Sequence, residues 1–403
     1  MRDILSQGAD RGPGRWPRLL VVITAVAAAL TVLTVQYVQR HRDAQATHRR
    51  TAATARRAPL PVSGYAAPAG QPAEPDGVIG QAVLRDDSLR LPVAGQQPAW
   101  FWPATGRMEP IGGLPRERSG YLFIRIGGGW AVRPAAAGVR GCGSCAGLPL
   151  PVYFLADHAR SAARVGTADE VAPAATAGAL WLTSYPPDAD TRTAAGTAQE
   201  VSVGGVPLRS PLRLPAGYLI DQATDRGLLL APVIQRPGLS AYTLWDPAAV
   251  RASRTFTGVI AASASEIAWT QGCAPRCLVR VLDLATGRDT VARLPAGSSA
   301  ANGAFSPGGA FLALQVSFGS GGNGGALAME LEVASVASGR LTIVPGTWVS
   351  SDALVGFGWP GDGDSLVAEL SFTTKVQIAS WRPGTARLAV AVITAGSTPL
   401  IVG

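Results

Sequence analysis

From residue 76 onward the chain repeats one pattern, and that repetition limits the fold more than any other feature. An apolar run enters a small polar turn, often closed by Gly-Arg, and a second apolar run follows. The clearest copies are AWFWPATGRMEPI around Gly106-Arg107, VRVLDLATGRDTVARL around Gly287-Arg288 and LEVASVASGRLTIV around Gly339-Arg340. QIASWRPGTARLAVAV around Arg387 is close to them, while VYFLADHARSAARV around Arg160 and YTLWDPAAVRASRTF around Arg251 are looser. A degenerate turn, VSVGGVPLRS around Gly205, fills the one wide gap. The markers lie 37 to 53 residues apart and average about 47. A period of this size, with several short strands per unit, signals the blades of an all-β propeller.

Upstream of several markers lies a second element, a Gly/Pro/Asp turn leading into a strand. FSPGGAFLALQV (305–316), GWPGDGDSLVAEL (358–370), ATDRGLLLAPV (223–233) and SASEIAWTQ (263–271) are examples. Such turns supply the backbone angles a hairpin needs, and the apolar runs suit strands buried between blades. No long 3.6-residue periodicity appears after residue 40. Seven markers predict seven blades, with six or eight as alternatives because the third and fourth copies are weak. An open ring leaves strand edges unpaired. Closure is therefore expected from GVIGQAVL (77–84) pairing with TPLIVG (398–403).

The Ser-Pro-Gly-Gly turn at 306–309 and the Leu-Ala-Thr-Gly-Arg hairpin at 284–288 resemble those of TolB-like and WD-repeat propellers. More narrowly, the chain is similar to the membrane-anchored propeller proteins of high-GC Gram-positive bacteria, a resemblance covering roughly residues 77–403. It implies the fold and is a poor guide to activity. Trp245-Asp246 is the only Trp-Asp pair, so the hydrogen-bonded tetrad of true WD repeats is not carried over.

The other 75 residues have a different character. Leu19 to Val38 is uncharged, and twenty residues at about 1.5 Å rise span the hydrocarbon core of a bilayer. Trp16 and Tyr37 stand at its edges, where amphipathic rings favour the headgroups. The run exceeds a secretory h-region, and Arg40, Arg42 and Asp43 separate it from the small-x-small triplet Ala44-Gln45-Ala46. An uncleaved transmembrane helix is predicted over 19–38, behind a cytoplasmic tail at 1–18. A flexible Ala/Arg/Pro-rich stalk (39–75) then leads to the propeller domain (76–403).

Orientation is contested. Arg2, Arg11, Arg15 and Arg18 precede the span, whereas six Arg and two His follow it closely, against the positive-inside count. The short tail, the position of the large domain and the locally paired cysteines favour an extracytoplasmic domain. The net charge of +8 resides in the tail and stalk, because residues 1–60 carry ten Arg against three Asp. The remaining +1 gives the domain no basic face for nucleic acid. The expected partners are the bilayer, with anionic headgroups beside the Arg clusters, and an envelope protein or ligand.

Candidates for chemistry are few. Cys142-Gly-Ser-Cys145 and Cys273-Ala-Pro-Arg-Cys277 precede their markers by similar distances, so both fall in the same loop of the repeat and read as two local disulfides. A redox Cys-x-x-Cys is the alternative for the first pair, but it usually needs a helix N-terminus. His158 is the only histidine after residue 48, which disfavours Ser-His-Asp hydrolysis and histidine-based metal catalysis. Asp362-Gly-Asp364 lacks the other ligands of a calcium loop. GSGGNGG (319–325) lacks the Lys-Ser/Thr of a phosphate loop. Asp169-Glu170, Asp188 and Asp190 are expected as solvated loop charges. The nine Trp beyond residue 99 are expected to pack between blades.

On these grounds neither a cofactor nor a metal is expected. The leading expectation is a non-enzymatic binding or scaffolding propeller tethered outside the cell membrane. The alternatives are an envelope sensor or accessory subunit, and a histidine-independent lyase or glycan-active enzyme. Two carboxylates in a funnel would favour the last.

Overall fold

A computed structural model describes residues 78–394, except 85–94, 103–106, 116–120, 136–148, 158, 188, 235–239, 274–275, 320–327, 351–353, 360–364 and 373–374. All described residues belong to one compact unit and every regular element among them is a β-strand.

The first sheet holds β1 (Val78–Leu84), β2 (Gly95–Trp102) and β3 (Arg107–Pro110). Six complete blades follow. Blade 1 comprises β4–β7 (Tyr121–Ile126, Gly129–Pro134, Leu150–Ala156 and Ala163–Ala168). Blade 2 is β8–β11 (Glu170–Pro173, Ala179–Ser184, Thr197–Ser202 and Leu212–Arg213). Blade 3 is β12–β15 (Tyr218–Thr224, Gly227–Pro232, Ala241–Asp246 and Arg251–Thr257), and blade 4 is β16–β19 (Val259–Ala262, Glu266–Gln271, Leu278–Asp283 and Asp289–Arg293). Blade 5 is β20–β24 (Ser298–Phe305, Phe311–Phe318, Ala328–Ser335, Leu341–Ile343 and Val349–Ser350), its outer edge divided between β23 and β24. Blade 6 is β25–β28 (Leu354–Gly358, Leu366–Phe372, Lys375–Trp381 and Ala389–Thr394).

All pairing within the sheets is antiparallel and nearly all joins chain neighbours, so each blade is a meander. The first strand of a blade is innermost: β4 packs against β8, β8 against β12 and β16 against β20 across blade boundaries. The fourth is outermost, and on β15 only Phe256 of seven residues is buried. Second strands read as nearly unbroken apolar runs because both faces are covered. Leu228, Leu229, Leu230 and Ala231 on β13 are all buried. The core is correspondingly divided into clusters between adjacent sheets, such as Trp181, Ile220, Leu230 and Trp245 between blades 2 and 3. Trp100, Trp130, Trp181, Trp245, Trp269, Trp359 and Trp381 are all buried, as expected of inter-blade packing, whereas Trp348 is 40% exposed.

The expectation of seven blades is corrected to six. The seven markers do fall in seven sheets, between the third and fourth strands of the six blades and between the last two of the first sheet, which has three strands among the described residues. The physical reason lies in its positions. The β2–β3 turn carries Gly106-Arg107, as the turns between third and fourth strands of blades 4 and 5 carry Gly287-Arg288 and Gly339-Arg340. The first sheet therefore holds second, third and fourth strands and is one strand short of a full blade among the described residues. Residues 398–403, the expected source, lie outside the described residues, as do 1–75.

The meander gives the ring two unlike ends. At the trailing end lie the short first-to-second and third-to-fourth connections, where arginines, two of them repeat markers, join blades. Arg288 donates to the Ala337 carbonyl at 2.5 Å, Arg226 donates to those of Leu284 and Ala285 at 3.1 and 3.2 Å, and Arg160 faces Glu109 at 3.8 Å. Gly339 has φ +69°, and a Cβ there would run into the Val291 carbonyl of the preceding blade. The repeat is thus written by the demands of blade docking. At the leading end first strands begin, second strands finish and the longest connections occur.

Candidate functional site

The leading mouth gathers the polar chemistry. Arg133 stands one residue before the end of β5, and Asp169 and Glu170 lie where blade 1 passes into blade 2. Tyr185 follows β9, and Tyr218 opens β12. All four places are strand ends at the same side of the ring, which is why residues far apart in sequence meet. An Arg133 guanidinium NH2 donates to Glu170 Oε2 at 3.0 Å. The Tyr185 backbone N–H donates to Asp169 Oδ2 at 2.8 Å, and its hydroxyl to the Tyr218 carbonyl at 3.4 Å.

Electrostatics follow from that crowding. Burial raises the Glu170 carboxyl above its ordinary range; Arg133 pulls it back and the Asp169 charge pushes it further up. Burial, with Glu170 and Asp169 alongside, pushes the Tyr185 phenol to about 12, so it holds its proton at neutral pH. Yet the Glu170 side chain is 41% exposed, so the group is both perturbed and reachable. The expectation that Asp169-Glu170 is a solvated loop pair is therefore corrected: one carboxylate is ion-paired and the other fixes a backbone turn.

Deeper in the ring is Asp221, three residues into β12 and so about 10 Å along it. It is the extra residue of a β-bulge, between Ile220, paired with Leu230, and Gln222, paired with Leu229. Bulges redirect side chains and recur beside active sites. Burial alone pushes the Asp221 carboxyl up to about 6. Its charge joins burial in raising the Tyr242 phenol to about 12.

Among the residues predicted from sequence, Cys273 and Cys277 form a disulfide in the β17–β18 connection at the leading end. Cys142, Cys145, His158, Asp188, Asp362 and Asp364 lie outside the described residues, with most of the Gly-rich run. Asp190 accepts from the Arg192 side chain at 2.8 to 3.0 Å on an exposed turn, as expected of a solvated charge. Among the described residues no three His, Cys, Asp or Glu side chains gather to hold a metal. Sequence reasoning passed over Arg133, Tyr185, Tyr218, Asp221 and Tyr242. The available signal was the lone carboxylate inside the strand YLIDQAT; the others look like ordinary strand ends.

No family model and no curated protein matches the chain. Solved structures do. A prolyl endopeptidase, described for the role of inter-domain dynamics in its catalysis and specificity, matches at 13% identity. The match covers 79% of this chain and 50% of that one, with a TM-score of 0.51. A puromycin hydrolase matches at 13% identity over 84% of this chain and 57% of that one (TM-score 0.47). A putative 6-phosphogluconolactonase from Bacteroides uniformis matches at 17% over 64% and 80% (TM-score 0.39). The chain spans about half the length of the prolyl endopeptidase. At such identities the likeness establishes the propeller fold alone. It still overturns one expectation. The non-enzymatic scaffold reading took a propeller without evident site chemistry as its warrant, and a propeller of this fold also belongs to a prolyl endopeptidase.

Proposed function

We propose that the chain is an enzyme-type propeller acting on a glycan at its leading mouth, with carboxylates, arginine and tyrosine in place of histidine. The observation that carries this reading is the meeting of Arg133, Asp169, Glu170 and Tyr185 on two adjacent blades. A carboxyl raised by burial holds a proton at higher pH than an ordinary glutamate, as a general acid for a glycosidic leaving oxygen requires. Arg133 then steadies the carboxylate that remains, at a distance already suited to a charge-assisted hydrogen bond. The Asp169 charge favours the positive character that develops on the sugar ring in such a reaction. Tyr185, tied to Asp169 and to the Tyr218 carbonyl, positions the cluster.

The test is release of new reducing ends from a panel of neutral and amino-substituted polysaccharides. Glu170→Gln is expected to lower turnover by about 100-fold or more, in line with loss of a general acid. Turnover by the wild type that the Gln variant matches would remove Glu170 from the reaction. No release from any member of the panel would remove the reading itself.

Two further readings belong with this one. Residues 19–38 tether the domain to the cell membrane, with the propeller outside and the flanking arginines against anionic headgroups, as the apolar run and the paired cysteines support. Labelling of intact cells with a membrane-impermeant maleimide is expected only after reduction. Thiols that react only after lysis would place the domain inside. The second reading is that residues 395–403 supply the innermost strand of the first sheet.

A further inference from the structure

We propose that Asp221 anchors a primary ammonium group on the ligand that enters the ring from its leading mouth. This deepens the glycan reading by giving the substrate a positive charge. It rests on that reading only in placing the ligand inside the ring.

The argument begins with a bulge that four consecutive blades share. The inner strands β12, β16, β20 and β25 each carry one extra residue against their second strand: Asp221, Ile260, Ala301 and Val355. Three of these residue types can pair with no charge, so Asp221 is the one ionisable group in the set. Its neighbours leave it available. Gln222 spends its side-chain amide on the Ala223 carbonyl at 2.8 Å. Asp221 itself makes no hydrogen bond or ion pair among the described residues, and the interaction recorded for it is with the Tyr242 phenol. Several acidic side chains of blades 2 to 4 are engaged: Glu170 with Arg133, Asp169 with the Tyr185 N–H, Asp246 and Asp283 with turn N–H groups, and Asp289 with Arg280, while Asp225 lies exposed on the β12–β13 turn. Asp221 is half-buried and has no protein partner among the described residues, and a ligand cation is the simplest group to complete it.

The chemistry selects the cation. Calcium and magnesium need six or more oxygens, and the described residues gather no such set. A guanidinium needs both carboxylate oxygens along one flat fork. An ammonium is compact, carries three freely rotating donors, and can divide them between the Asp221 carboxylate and the Tyr242 hydroxyl oxygen.

Calorimetric titration of the full-length chain in detergent with glucosamine, and with glucose as its uncharged counterpart, tests the assignment. Glucosamine is expected to bind about tenfold or more tightly than glucose, and Asp221→Asn to abolish that preference, as loss of a hydrogen bond to a charged group implies. Asp190→Asn is expected to retain it within about twofold, because that carboxylate lies on an exposed turn paired with Arg192. Equal binding of the two sugars, binding of neither, or an unchanged preference in the Asn variant would each overturn the proposal. A preference that depends on Asp221 in a chain that cleaves no glycan would keep the ammonium site and discard the glycan-cleaving reading.

Discussion

Asp221→Asn is expected to abolish a loss of stability that the wild-type chain suffers as pH rises from about 4 to about 6. The folded carboxyl has a pKa pushed up to about 6 by burial, against about 3.9 in an unfolded chain. Between these values the unfolded state releases its proton while the folded state keeps it, so stability falls with rising pH and levels off above about 6. Two pKa units correspond to about 3 kcal/mol. Asparagine matches the shape of the protonated acid, so near pH 3.5 the variant differs from wild type by the cost of burying its amide alone. Between pH 3.5 and pH 8 the difference should move by about 3 kcal/mol in the variant's favour. Comparing the two pH values cancels the cost of burying the amide, about 1–3 kcal/mol, which on its own masks the gain at any single pH. Urea unfolding at both pH values is the measurement, and a gap that stays constant would show that Asp221 is not desolvated in solution. Phenolate absorbance supplies an independent check, because Tyr242 should titrate lower once the neighbouring charge is gone.

The same residue shows where sequence reading stops. The repeat could be read because blade docking requires particular residues at fixed places: glycine where a Cβ meets the preceding blade, as at Gly339, and aspartate where a turn needs an acceptor, as at Asp246 and Asp283. Those demands are local, so they leave a period. Buried tryptophans and unbroken second-strand runs were legible for the same reason. The mouth was not. Arg133, Glu170 and Tyr185 are brought together by the antiparallel order of two blades, and the meeting leaves no spacing in the chain. Asp169-Glu170 looks like any acidic loop pair until blade 1 supplies an arginine. The bulge at Asp221 is equally silent, since one residue more or less on an inner strand does not disturb a repeat that already varies from 37 to 53 residues.

Removal of residues 395–403 is expected to cost more than about 4 kcal/mol, or to replace one cooperative unfolding transition with two. The argument rests on how every blade is entered. Each outermost strand leads directly to the innermost strand of the next sheet; a single residue separates β7 from β8, and another separates β15 from β16. Residues 395–403 follow β28, the outermost strand of blade 6. They are enough for a short connection and a strand of five or six residues, and Pro399-Leu-Ile-Val402 has the apolar character that an inner strand needs. Among the described residues the first sheet has no innermost strand, and without one β1 presents an unpaired edge to the channel. Burial alternates along a strand, so Ile401→Asp should approach the effect of the deletion, whereas Ser397→Asp, before the strand, should leave stability within about 0.5 kcal/mol. Thermal and urea unfolding of the three variants decide the matter. A truncated chain as stable as the wild type would mean that β1 keeps its open edge, and that ring closure relies on the apolar packing of the first sheet against its neighbours alone.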